Sequence, residues 1–116
     1  MKTRSAKAKG KLLANHVVSR LCTLLGLSAS DVKSPPTSVK GEDLWFADIA
    51  RKKFPFSVEC KNVKTLSIIA ALEQSRANSN GYTPCVCYKP PGKGLDKTVI
   101  AFDLDEFLIM WNERKK

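Results

Sequence analysis

No aspartate or glutamate precedes Asp31, one histidine (His16) serves the whole chain, and no apolar run approaches the roughly 20 residues needed to cross a bilayer. The missing run excludes a bilayer-spanning helix. Met1 to Lys11 is basic, but no apolar core or small-residue cleavage site follows it, so the protein is expected in the cytoplasm. Cysteine is scarce and irregularly placed, at Cys22, Cys60, Cys85 and Cys87. A disulfide framework would need a secreted setting, and Cys85-Val86-Cys87 lacks zinc-knuckle spacing, with His16 on a different element. The thiols are therefore expected as small core residues. Acids are the other shortage. Eleven Asp and Glu face 20 Lys and Arg, a net charge of +9 and a pI near 9.6, which favours a polyanionic partner.

What is present suits one compact domain: 116 residues, 43% hydrophobic and 27% charged, with no internal repeat and no linker. Residues 1–9, with Lys2, Arg4, Lys7 and Lys9, read as a flexible basic arm preceding a domain over 10–116. Leu13, Val17, Leu21, Leu24 and Leu25 recur at helical spacing from about Gly10, and Gly26 stands where a C-terminal cap belongs. Ser34 to Gly41 reads as a loop through Pro35, Pro36 and Gly41. Asp43 to Phe46 suggests a short strand, Asp48 to Lys53 a brief helix ended by Pro55, and Phe56 to Lys61 a strand. A second helix is expected from Leu66 or Ser67 to Asn78, its apolar face supplied by Ile69, Leu72 and nearby alanines. Thr83 to Tyr88 and Thr98 to Phe102 suggest further strands around a Pro/Gly-rich loop, and Phe102 to Trp111 a last helix before a fraying tail. The order is that of an α/β domain.

Alternation on the strand Phe56–Lys61 puts Phe56, Val58 and Cys60 on one face and Ser57, Glu59 and Lys61 on the other. A surface Glu–Lys pair is worth little, but apolar flanks place this strand near the core, where a carboxylate and an ammonium need partners or a role. A neighbouring strand can bring Asp43 within a few ångströms of Glu59. Two such carboxylates repel unless a cation lies between them, and their hard oxygens suit Mg²⁺ or Mn²⁺. A metal there polarises a phosphate oxygen, and Lys61 orients water and offsets charge on the phosphate. Glu59 and Lys61 as a plain surface pair is the competing reading. Asp48, among Ala47, Ala50 and Arg51, is expected to face solvent; Glu42 would point away from Asp43's side, and Glu73 is expected to be solvated. Trp45 and Trp111 are expected in core packing rather than in base stacking.

Asp43 followed by Glu59-Cys60-Lys61 resembles the Asp…Glu-x-Lys signature of the PD-(D/E)XK nuclease superfamily. Gly41 to Leu44 and Phe54 to Asn62 are similar to small phage-encoded members related to Holliday junction resolvases, and Ala71-Leu72-Glu73-Gln74 continues the likeness. The resemblance implies an αβββαβ restriction-endonuclease-like core, a mixed central sheet flanked by helices. It also implies Mg²⁺-dependent (or Mn²⁺-dependent) cleavage of DNA, branched or four-way. In that family a polar residue at the position of Gln74 points at the active site, so Asp43, Glu59, Lys61 and Gln74 are the expected catalytic set, with Asp43 and Glu59 on the metal. Archaeal-type resolvases carry a glutamate on the first helix; here Gly10 to Val17 offers only Asn15 and His16, which argues against a second metal. Paired cuts imply a homodimer, with Phe107, Leu108, Met110 and Trp111 packing at home or against a second copy. Lys7, Lys9, Lys11, Asn15, Arg20, Lys64 and Lys93, with Lys89 and Lys97, are expected to track DNA phosphates. A general or nicking nuclease, or a basic DNA-binding module without catalysis, are the alternatives.

Overall fold

A computed structural model describes residues 2–35 and 41–115 of the chain; the centre of the expected Ser34–Gly41 loop, residues 36–40, lies outside them, as do Met1 and Lys116. The first helix, α1 (Lys2–Leu25), starts well before Gly10 and runs through the segment read as a basic arm. Ala and Lys in that segment are good helix formers, and one glycine costs only about 1 kcal/mol against alanine. The helix stops as expected at Gly26, whose φ of 67° lets the Leu27 N–H turn back to the Cys22 carbonyl at 3.1 Å. Lys53 Nζ donates to the freed Leu25 carbonyl at 3.0 Å.

After α1 come β1 (Val32–Lys33), β2 (Trp45–Phe46), α2 (Asp48–Lys53), β3 (Phe56–Lys61), α3 (Ile68–Ala77), β4 (Thr83–Tyr88), a 3₁₀ turn (Leu95–Lys97), β5 (Val99–Ala101) and α4 (Leu104–Lys115). The central sheet has the order β3-β4-β5, with β3 and β4 parallel around the α3 crossover and β5 antiparallel to β4. This is an α/β fold with a mixed sheet. The β1 and β2 strands pair antiparallel with each other and form a separate two-stranded ribbon, so the central sheet holds three strands.

The alternation read from β3 explains the layers. Phe56, Val58 and Cys60 join Cys85 and Cys87 of β4 against Leu13 and Val17 of α1, Leu44, Phe46 and Met110 of α4. The opposite face presents Val86 to Ala71 and Leu72 of α3. Cys60, Cys85 and Cys87 are buried free thiols, as expected of core cysteines, and Cys22 is half-buried. The Ser75 hydroxyl of α3 is shared between the carbonyls of Ser57 (3.0 Å) and Cys85 (3.2 Å), which fixes the helix across both parallel strands.

Several expectations need correction. Leu72 and Ala71 are buried on α3 as expected, with Ser75, but Ile69 is 68% exposed; the helix is capped by Ser67, whose hydroxyl accepts from Ala70 N–H at 3.2 Å. The last helix begins after Asp103, whose carboxylate accepts from Glu106 N–H at 3.0 Å, and continues to Lys115 rather than fraying from Glu113. Trp45 and Trp111 are half exposed rather than core residues, with Lys33 Nζ 5.6 Å from the Trp45 ring and Trp111 stacked on Phe107. Phe107 and Met110 pack at home, while Leu108 is exposed.

Leu44 is fully buried beside the segment that carries Asp43. Leu44→Ala should lower stability by about 2–5 kcal/mol in urea unfolding, because the methyls it removes leave a cavity between α1 and β3. A loss within the noise of that measurement would mean the ribbon is not anchored by this side chain.

Candidate active site

Asp43 is not on a strand of the central sheet. It is held against the free edge of β3 by two bonds in sequence. Its N–H donates to the Val58 carbonyl at 3.1 Å, and its Oδ2 accepts from the Cys60 N–H at 2.7 Å. The side chain thus takes over where a pairing strand would have continued, and this leaves Oδ1 free of that bond.

Glu59, between those two anchor points, is 3% exposed and on the α3 face. Its carboxyl is raised to about 7, by burial first and by the negative charge of Asp43 second, with the Lys61 ammonium pulling the other way. The Asp43 carboxylate, bonded to the N–H of the next residue, Cys60, stands close enough for its charge to act on Glu59. Lys61 Nζ lies 3.3 Å from Glu59 Oε2 and donates to Gln74 Oε1 of α3 at 2.9 Å. The four residues expected from sequence are therefore brought together at the carboxyl end of β3. Gln74 reaches the site through Lys61.

Cys60 lies between Glu59 and Lys61 but faces the core, and burial, with Cys87 and then the two carboxylates nearby, pushes its thiol far above the usual range. Cys85 is raised too, by its hydrogen bond with Cys87 and then by burial. Thiolate nucleophiles are accordingly disfavoured here.

Among the described residues, no three His, Cys, Asp or Glu side chains cluster as metal ligands. Asp43 and Glu59 are two. Mg²⁺ commonly takes one or two carboxylates and keeps several waters, so this donor set would fit one such ion, with Asp43 and Glu59 as the residues that could hold it. The helix α1 adds no acid to the set.

The basic residues divide by position. The Lys9 carbonyl accepts from Asn62 Nδ2 at 3.0 Å, which puts the amino-terminal half of α1, with exposed Lys7 and Lys9, beside the residue after Lys61. Exposed Lys64 follows on the same loop. The Lys89 N–H donates to the Lys61 carbonyl at 3.0 Å, so the loop with Lys93 also starts here, although Lys89 Nζ is spent on the carbonyls of Pro90 and Lys93. Lys11 is half-buried, with Nζ donating to the Ser34 and Pro35 carbonyls at 2.8 and 3.2 Å. Asn15 is exposed further along α1. Arg20 is about 16 Å from Lys9 along the helix axis and borders a separate, largely apolar cavity of about 610 Å³ with His16 and Leu24. Asp48 and Glu73 are exposed, away from the carboxylate pair.

Sequence reasoning passed over Asn62, which docks α1, and Tyr88, which is paired with Lys61 in the β3–β4 register and so shares its face. Only the strand register reveals Tyr88; no local motif marks it. No family model, curated protein or solved structure matches the chain.

Proposed function

We propose that this protein is a divalent-metal-dependent endonuclease that hydrolyses DNA phosphodiester bonds, with branched or four-way DNA as its preferred substrate. The observation that carries the reading is the placing of Asp43 on the Cys60 N–H at the β3 edge, one residue from buried Glu59, with Lys61 beside Glu59 and bonded to Gln74. Burial first, and the nearby Asp43 charge second, disfavour the ionised form of Glu59 despite the Lys61 ammonium, so a further cation beside the two carboxylates would be favoured. When bound, Mg²⁺ supplies Lewis acidity to a phosphate oxygen and acidifies water.

The chain's own groups do the rest. Asp43 and Glu59 would hold the ion, and so position the scissile phosphate, at the β3 edge. Lys61, kept in place by Gln74, presents its ammonium where negative charge builds on the phosphate as water adds to phosphorus and the ester P–O bond breaks. Lys7, Lys9, Lys64 and Lys93 surround this end and supply phosphate contacts that carry little sequence information. Paired cuts across a branch point call for two such sites, hence a homodimer.

The test is a cleavage assay on labelled linear, flapped and four-way DNA with Mg²⁺ or Mn²⁺. Cutting of the four-way substrate ahead of the linear one is expected. Equal rates would remove the branch preference and leave a general or nicking nuclease. No cutting of any substrate with either metal would leave a DNA-binding module in which Glu59 and Lys61 simply pair.

A further inference from the structure

Asp43 lies on the irregular segment between β1 and β2, yet its carboxylate must stay in register with Glu59. Its neighbour Glu42 shows how. The Glu42 carboxylate is paired with the Arg51 guanidinium, and both side chains are about nine-tenths buried, with exposures of 10% and 12%. Arg51, on α2, also donates from Nη1 to the carbonyl of Phe56, the first residue of β3, at 2.6 Å. The faces of its guanidinium are covered by Tyr82, 4.0 Å from the ring centre, and by Phe46 at 4.7 Å. One planar cation thus ties the segment before β2 to the start of β3 and to the turn before β4.

The other carboxylate oxygen of Glu42, Oε1, is buried with no partner among the described residues. Arg51 is therefore the sole recorded hydrogen-bond partner of a carboxylate one residue from Asp43. A planar fork that spends one donor on a carboxylate and another on a backbone carbonyl fixes direction as well as distance, which a lysine ammonium does not.

We infer that Arg51 is a positioning residue for the metal site: through Glu42 it sets where Asp43 stands along the edge of β3. The inference rests on the proposed metal-binding role of Asp43 and Glu59. Arg51 touches neither substrate nor metal. Its effect is on the affinity of the carboxylate pair for a divalent ion, a quantity that general destabilisation of a still-folded protein does not change.

The experiment is Mn²⁺ binding followed by electron paramagnetic resonance on the whole chain. Wild type, Asp43→Asn, Arg51→Lys and the double variant Glu42→Leu/Arg51→Met are compared, each first shown to melt cooperatively. The double variant leaves no buried charge behind. It should bind Mn²⁺ about 10- to 100-fold more weakly than wild type, the usual effect of losing a group that orients a ligand, and Arg51→Lys should fall between the two. A folded double variant with wild-type Mn²⁺ affinity would overturn the inference while leaving the metal site standing. Should that variant not fold, Arg51→Lys decides by the same measurement, and unchanged affinity there overturns it. If wild type takes up no Mn²⁺, or Asp43→Asn takes up as much as wild type, the reading of Asp43 as a ligand fails and the positioning role with it.

Discussion

Lys61→Ala is expected to slow Mg²⁺-dependent DNA cleavage about a hundred- to ten-thousand-fold while leaving DNA binding nearly unchanged. The side chain is 24% exposed and belongs to no core cluster, so the fold does not depend on it. Its ammonium has two recorded contacts, with Glu59 and Gln74, and both lie in the candidate site. Removing it takes away the cation that faces developing charge, an interaction stronger in the transition state than in the ground state, so the loss should appear in kcat rather than KM. Asp43→Asn should be at least as damaging, since it weakens a metal ligand while keeping an acceptor for the Cys60 N–H. Gln74→Ala should cost less than Lys61→Ala, because Gln74 acts by holding the lysine. Single-turnover rates on a four-way substrate check the order. Cleavage that survives both Asp43→Asn and Lys61→Ala would mean that the chemistry lies elsewhere on the chain.

The parts of the fold that were legible in the sequence are those with local causes. Gly26 ends α1 because the left-handed turn there suits glycine, and β3 alternates because its apolar residues do. Glu59 and Lys61 share a face for the same reason, and Gln74 faces Lys61 one crossover later. The start of α1 was not legible. A run of lysine and alanine without acids reads equally as a solvated arm or as a helix, and what docks this stretch is a contact from Asn62, more than fifty residues away. On α3 Leu72 and Ala71 were read correctly and Ile69 was not: two consecutive isoleucines leave the edge of the apolar face open, and the Ser75 hydroxyl, bonded to the Ser57 and Cys85 carbonyls, shows which side meets the sheet.

The candidate site was legible as a set of residues but not as a geometry. Asp43 was expected on a strand paired with β3, and the structure instead uses its carboxylate as the last rung of that edge. Lys11 was expected on phosphates, but its ammonium holds the carbonyls of Ser34 and Pro35, at the far end of the same segment that Arg51 secures near Asp43. Long-range pairings of this kind leave no periodic trace in a sequence. They appear only once the elements are packed.

Glu59→Gln should remove the pH dependence of stability that its carboxyl imposes on the metal-free protein. Glu59 keeps its proton up to about 7 in the folded chain, against 4.5 as its ordinary value. Between those limits the folded state binds more protons than the unfolded state, so stability falls as pH rises. The contribution is fully present below about 4.5 and lost above about 7, a difference on the order of 3 kcal/mol at 1.36 kcal/mol per unit. Urea unfolding in EDTA, run from pH 5 to pH 8, should therefore show wild type losing stability relative to Glu59→Gln, with the variant the more stable at the alkaline end. Mg²⁺ should then act in the opposite sense. It favours the ionised pair, so at pH 8 it should restore wild type by about 2.7 kcal/mol at a hundredfold excess over its dissociation constant, and affect Glu59→Gln far less. Parallel pH profiles for the two proteins would show that Glu59 ionises normally. A Mg²⁺ effect equal in both would place the ion away from the pair. The same buried carboxylate that weakens the metal-free fold near neutral pH is, on this reading, what makes the site receptive to a divalent cation.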